Sequence, residues 1–74
     1  MTILYFGQIQ SITSLAKEEI NGASNLIELK NKLIEKYPKL ANANFVFSVN
    51  QKILEEATLK ENDEVALLPP FSGG

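Results

Sequence analysis

The last six residues, Pro69-Pro70-Phe71-Ser72-Gly73-Gly74, form the one constellation in this chain whose types and spacing suit chemistry. Two prolines hold φ at about −65° and forbid helix, so the segment is expected to leave the fold as a stiff extended stalk. Six extended residues reach at most ~20 Å. Two glycines add no side chains, so the final carboxylate can thread a narrow channel in another protein. That α-carboxylate has an unperturbed pKa of about 3.3–3.7 and is ionised at neutral pH. It can therefore attack a nucleotide phosphate without a base. A frayed chain end would carry the same two glycines, and the remaining residues must weigh one reading against the other.

The chain has no Cys and no His. A thiolate nucleophile, an imidazole base and the common soft metal ligands are all missing. A Ser or Lys nucleophile would have to act without a His partner. The inventory argues against a self-sufficient enzyme, and neither a metal site nor a bound cofactor is expected. A net charge of −2, with seven Lys and no Arg, gives no electrostatic footprint for nucleic acid or an anionic membrane. Missing Arg also removes the usual bidentate phosphate clamp. No stretch reaches the ~20 apolar residues of a membrane span. Met1 to Phe6 lacks a basic region followed by a long apolar core, so no signal peptide is expected. A cytoplasmic location is the expectation, and the absence of Cys agrees with it. Glu18-Glu19 and Glu55-Glu56 are adjacent pairs whose members point to opposite sides of a strand, and both pairs are expected to be solvated.

A chain of 74 residues buries only roughly 60% of its unfolded surface, which limits it to one core. A single domain over residues 1–74 is expected, with a flexible tail from about 69 to 74. Thr2 to Phe6 is a β-branched and aromatic run stopped by Gly7 and reads as a strand. Gln8 to Ser14 is polar with isolated Ile9 and Ile12 and reads as a connection. Leu15 to Ile20 reads as a second strand closed by Asn21-Gly22. Ser24 or Asn25 can cap a helix, with Glu28 in capping-box spacing from Asn25. Leu26, Leu29, Leu33 and Tyr37 recur at helical spacing, Glu28 and Lys32 form an exposed pair, and Pro38 stops the helix. Phe45 to Val49, a short Ile53-Leu54 segment after an Asn50-Gln51 turn, and Glu64 to Leu68 complete the strands. Strand, strand, helix, strand, short strand, strand gives an α+β domain of β-grasp, or ubiquitin-like, architecture: a mixed sheet with one main helix on one face.

Alternation sorts the strand residues into two faces. Ile3, Tyr5, Phe45, Phe47, Val49, Val65 and Leu67 make the better core because the set is apolar throughout. Leu4, Phe6, Val46, Ala66 and Leu68 then fall on a face that a solvated antiparallel sheet would make polar. Such a patch usually marks a partner surface, unless a loop such as Gln8 to Ser14, or self-association, covers it.

The opening Ile-Leu-Tyr-Phe-Gly-Gln, the middle Val49-Asn50-Gln51, the later Leu59-Lys60-Glu61-Asn62-Asp63-Glu64-Val65 and above all the Pro-Pro-Phe-Ser-Gly-Gly end resemble the small subunit of molybdopterin synthase (MoaD type). The likeness spans the chain, with its specificity in the last dozen residues and only a loose match over 8–23. It implies that a partner, the molybdopterin synthase adenylyltransferase, spends ATP to adenylate Gly74. Sulfur then replaces AMP to give a thiocarboxylate. The large subunit of the synthase would accept the Gly73-Gly74 tail and hold the cyclic pyranopterin monophosphate that receives the sulfur, in a complex of two small and two large subunits. The resemblance places the partner surface at Phe6, Ile53 and Leu68, and the tail contacts at Pro69, Pro70 and Phe71. A sulfur carrier of thiamin-thiazole synthesis shares the fold and Gly-Gly end but generally lacks the Pro-Pro. A ubiquitin-like modifier that joins its glycine to lysines uses the same activated end.

Overall fold

The computed structural model describes residues 1–70. Its elements run β1 (Thr2–Tyr5), α1 (Gln8–Thr13), β2 (Lys17–Glu19), α2 (Leu26–Lys36), a 3-10 turn (Pro38–Asn42), β3 (Val46–Val49), β4 (Lys52–Leu54) and β5 (Glu64–Leu68). The strands form one five-stranded sheet in the order β2-β1-β5-β3-β4. β1 and β5 pair in parallel at the centre, and every other pair is antiparallel. This is the β-grasp arrangement expected from the order of elements.

α2 begins where the sequence places it. The Asn25 side chain accepts the Glu28 N–H at 2.9 Å, satisfying one orphan donor of the first turn. Glu28 reaches back one residue beyond the capping box and accepts the Ser24 N–H at 2.9 Å. Its carboxylate is thereby engaged, and the expected Glu28–Lys32 pair is not among the ion pairs of the described residues. Leu26, Leu29 and Leu33 turn inward, and the helix stops ahead of Pro38. They share one core cluster with Ile3, Tyr5, Phe47, Val49, Val65 and Leu67. Phe45 is half-buried, just ahead of β3, and meets Phe47 edge-to-face with ring centroids 5.3 Å apart.

The structure departs from the sequence reading in several places, with β3 starting at Val46 and β4 at Lys52. β1 ends at Tyr5 because Gly7 turns the chain at φ 59°, and β2 is only three residues long. Gln8–Thr13 is a short helix, not a plain connection. No side chain caps it; what holds it is Ile9, 2% exposed within the core cluster, with Ile12 packed beside it. Ile9 shares its cluster with the α2 leucines, so α1 closes one end of the core on the α2 side. Among the described residues no helix covers the opposite face of the sheet.

Candidate functional site: the open sheet face and the root of the tail

Register carries side chains across the outer face in rows. One row runs Lys17, Leu4, Ala66, Ser48, Ile53. The next joins Leu68 to Val46, and Phe6, one residue past Tyr5 in the parallel ladder, comes beside Leu68. The Phe6 N–H donates to the Leu67 carbonyl at 3.2 Å, which extends that ladder. At the far end the row is polar, with Thr2 between Glu19 and Glu64. The face therefore grades from acidic to apolar toward the chain end that carries the prolines. Phe6 is 45% and Ile53 66% exposed, while Leu4, Val46, Ala66 and Leu68 are half-buried. Phe6, Ile53 and Leu68 thus share one face. Ile53 belongs there because it stands opposite Ser48 in the β3–β4 ladder.

Pro69 and Pro70 are exposed and follow β5 directly. The Pro69 ring lies on Gly7 so closely that a Cβ at Gly7 would sit 2.7 Å from Pro69 Cγ. The glycine after β1 thus makes room for the start of the tail, a contact that strand and turn signals alone did not reveal. Gln8, Ile9, Asn42, Ala43, Asn44 and Pro70 border a cleft of about 490 Å³ around that root. Its polar side chains are amides, which neither give nor take a proton at neutral pH. Among the described residues no cluster of three metal-ligating side chains occurs. Phe71, Gly73 and Gly74 lie outside the described residues.

Glu18 corrects the sequence reading. Its carboxylate is not solvated: the side chain is 11% exposed and accepts from Tyr5 Oη, Tyr37 Oη and Lys36 Nζ, each at 2.6 Å. Burial alone would raise its pKa, but the donors from Lys36, Tyr37 and Tyr5 outweigh burial and hold it below the ordinary value. Burial and the Glu18 carboxylate push both tyrosine hydroxyls up, and the hydrogen bond to Glu18 pushes Lys36 up. This cluster ties edge strand β2 to β1 and to the C-terminal end of α2.

Two segments far apart in sequence interlock at the acidic end. Asn50 and Gln51 take φ of 49° and 73°, as a two-residue hairpin of primed type requires. The Asn50 side chain donates to Asp63 at 3.0 Å and accepts the Glu64 N–H at 3.0 Å. Asp63 also accepts the Lys60 N–H, and the Asn50 and Lys60 donors hold its carboxyl below its usual range. The Val-Asn-Gln and Lys-Glu-Asn-Asp-Glu stretches therefore form one structure that starts β5 in register.

Among known proteins, the model of the ThiS family matches residues 3–74. The chain belongs to the ThiS family. Within it, the chain is 29% identical over 79 residues to the molybdopterin synthase sulfur carrier subunit of Chlamydomonas reinhardtii, covering 97% of this chain and 95% of that protein. It is 30% identical over 80 residues to the molybdopterin synthase sulfur carrier subunit of Homo sapiens, covering 97% and 91%. These relatives agree with the resemblance drawn from the sequence motifs. The solution structure of small archaeal modifier protein 1 from Methanosarcina acetivorans superposes with a TM-score of 0.81 over 99% of this chain and 94% of that one. At 21% identity that likeness is one of fold. No helix among the described residues of this ThiS-family chain is long and apolar enough to cross a membrane.

Proposed function

We propose that this chain is the sulfur-carrying small subunit of a molybdopterin synthase, with Gly74 as its reactive end. The observation that carries the reading is the near full-length likeness to two sulfur carrier subunits of that synthase. A separate adenylyltransferase presents ATP. The Gly74 carboxylate attacks the α-phosphorus, pyrophosphate leaves, and an acyl-adenylate remains. A nucleophilic sulfur then displaces AMP and leaves a thiocarboxylate. In the large subunit, its anionic sulfur bonds to a side-chain carbon of the cyclic pyranopterin monophosphate as a C–O bond there breaks, and water then hydrolyses the acyl–sulfur bond, leaving the sulfur on the pterin and restoring the carboxylate. Two such deliveries make the dithiolene. The chain consumes no cofactor of its own and works in the cytoplasm, two copies with two large subunits.

The geometry suits this division of labour. The cleft at the root of the tail is lined by amides and carries no acid or base, which fits a partner that supplies the acid–base and phosphate-binding groups. Phe6, Ile53 and Leu68 offer the partner an apolar surface continuous with Pro69 and Pro70. Phe71 and Gly73 complete the segment that enters the partner's site.

Incubation with the adenylyltransferase, ATP and a sulfur donor, followed by intact mass measurement, tests the reading. Exchange of one oxygen for sulfur, located at Gly74 by fragmentation, is the expected result. No exchange in the presence of an enzyme that activates a related carrier would overturn it. Addition of the large subunit and precursor must then yield molybdopterin.

A further inference from the structure

β4 closes one edge of the sheet, and beside it lies a cleft of about 380 Å³. Leu26, Ile27 and Lys30 of α2 form one wall; Phe45, Ile53 and Leu54 stand on the sheet side. Ile27 is 64%, Ile53 66% and Leu54 37% exposed, so three of the five large exposed apolar side chains of the described residues meet at this edge.

The ladder pattern says what kind of ligand fits. Asn50 N–H donates to the Glu64 carbonyl across the β3–β5 ladder, so N–H groups of the alternate β3 residues, Phe47 and Val49, turn toward β4. Val49↔Lys52 and Phe47↔Leu54 are therefore the hydrogen-bonded pairs, as the two-residue turn also requires. Ile53, between them, directs its N–H and C=O outward along the sheet edge. A further strand would bond there, and its alternate side chains would fall into the cleft against Leu54 and Ile27.

Charge sets the order of side chains for a strand added antiparallel. β4 opens with Lys52 and is followed by Glu55, while Lys30 stands on the cleft wall. In an antiparallel strand the residue bonded to Ile53 is followed by one opposite Lys52 and preceded by one opposite Leu54, with Glu55 next. We infer that the β4 edge binds an extended peptide segment of a partner protein by antiparallel strand addition, reading basic, apolar, apolar, acidic from its N-terminal side. The contact uses the backbone of Ile53, whatever role its side chain has on the outer face, and it needs no sulfur transfer.

The test uses the full chain, isotopically labelled, titrated with the capped peptide Ser-Lys-Leu-Ile-Glu-Ser and followed by NMR. Expected are saturable shifts at Ile27, Lys30, Phe45, Ile53 and Leu54, with slowed exchange of the Ile53 amide. Exchanging the Lys and Glu of the peptide should weaken binding at least about threefold. Ile53→Pro removes the outward donor without removing a β3–β4 bond and should abolish the shifts. Ile27→Glu, at an exposed helix position outside the ladder, is the second variant and should weaken binding at least about fivefold. Absence of saturable shifts, shifts confined to Leu4, Phe6 and Leu68, or unchanged binding to the Ile27→Glu chain would each overturn the inference. Self-association at the same edge, seen as concentration-dependent shifts without peptide, would overturn the choice of partner.

Discussion

Replacing Glu18 with Gln removes one negative charge on which three donors converge. The Lys36 contact is the smallest loss, because that side chain is 53% exposed and solvent screens the pair. The two tyrosine hydroxyls donate to a carboxylate that is 11% exposed, and hydrogen bonds to charged groups contribute roughly 1.5–3 kcal/mol each. An amide oxygen still accepts, at roughly half the strength of an ionised one. The net cost of Glu18→Gln is then about 2–3 kcal/mol at pH 7, a fall in Tm of roughly 10–20 °C for a domain of this size. Glu18→Ala should cost more, since it leaves the buried Tyr5 hydroxyl without its acceptor. Thermal melts by circular dichroism across pH provide the assay. The Glu18 pKa in the fold lies below its ordinary 4.5, so the native state holds fewer protons than the unfolded chain in the window between the two values. The stabilisation is therefore complete above about pH 4.5 and is lost as pH falls through the folded value. Other lowered carboxyls, Glu19 and Asp63, act equally in both proteins and cancel in the difference. The gap between wild type and Glu18→Gln should be constant from about pH 5.5 to about pH 9, below the range where Tyr5, Tyr37 and Lys36 titrate, and narrow below about 4.5. A gap that stays constant into acid, or no loss of Tm at pH 7, would refute the assignment of a stabilising charge to Glu18.

Phe6→Asp should lower affinity for the synthase large subunit at least about tenfold in calorimetry, while costing the fold under about 1.5 kcal/mol because the ring is 45% exposed. Comparable losses in both would place Phe6 in the core. Deleting Gly74, or adding one residue after it, should abolish thiocarboxylate formation by mass measurement with Tm unchanged. Persisting molybdopterin formation from an untrimmed extended chain would rule out the terminal carboxylate. Asn25→Ala should destabilise by about 1 kcal/mol in denaturant melts, because it removes the one side-chain cap of α2.

The strands and α2 were legible because their signals are local: alternation, an Asn cap, a Pro stop. The apolar outer face was legible for the same reason, since alternation alone separates Leu4, Phe6 and Leu68 from Ile3, Tyr5 and Leu67. α1 was not, because a six-residue helix without a side-chain cap has no period to read and depends on burying Ile9 against residues distant in sequence. Glu18 escaped for a related reason. Two adjacent glutamates look solvated until Tyr5 and Tyr37, 13 and 19 residues away, are known to converge on one of them. The placement of Gly7 against Pro69 needed the parallel pairing of first and last strands, a contact that no local pattern encodes.

That parallel pairing has a mechanical consequence. β5 is the middle strand, laddered to β1 on one side and β3 on the other, and it runs straight into Pro69. On the proposed function, a partner that drew the tail into a channel would pull along β5, and both flanking ladders would bear the load together in shear instead of peeling open one bond at a time. A pull on an edge strand such as β4 would meet a single ladder. The chain thus roots its C-terminal segment in a strand held by two ladders, so on the proposed function a pull on that segment is shared by β1 and β3.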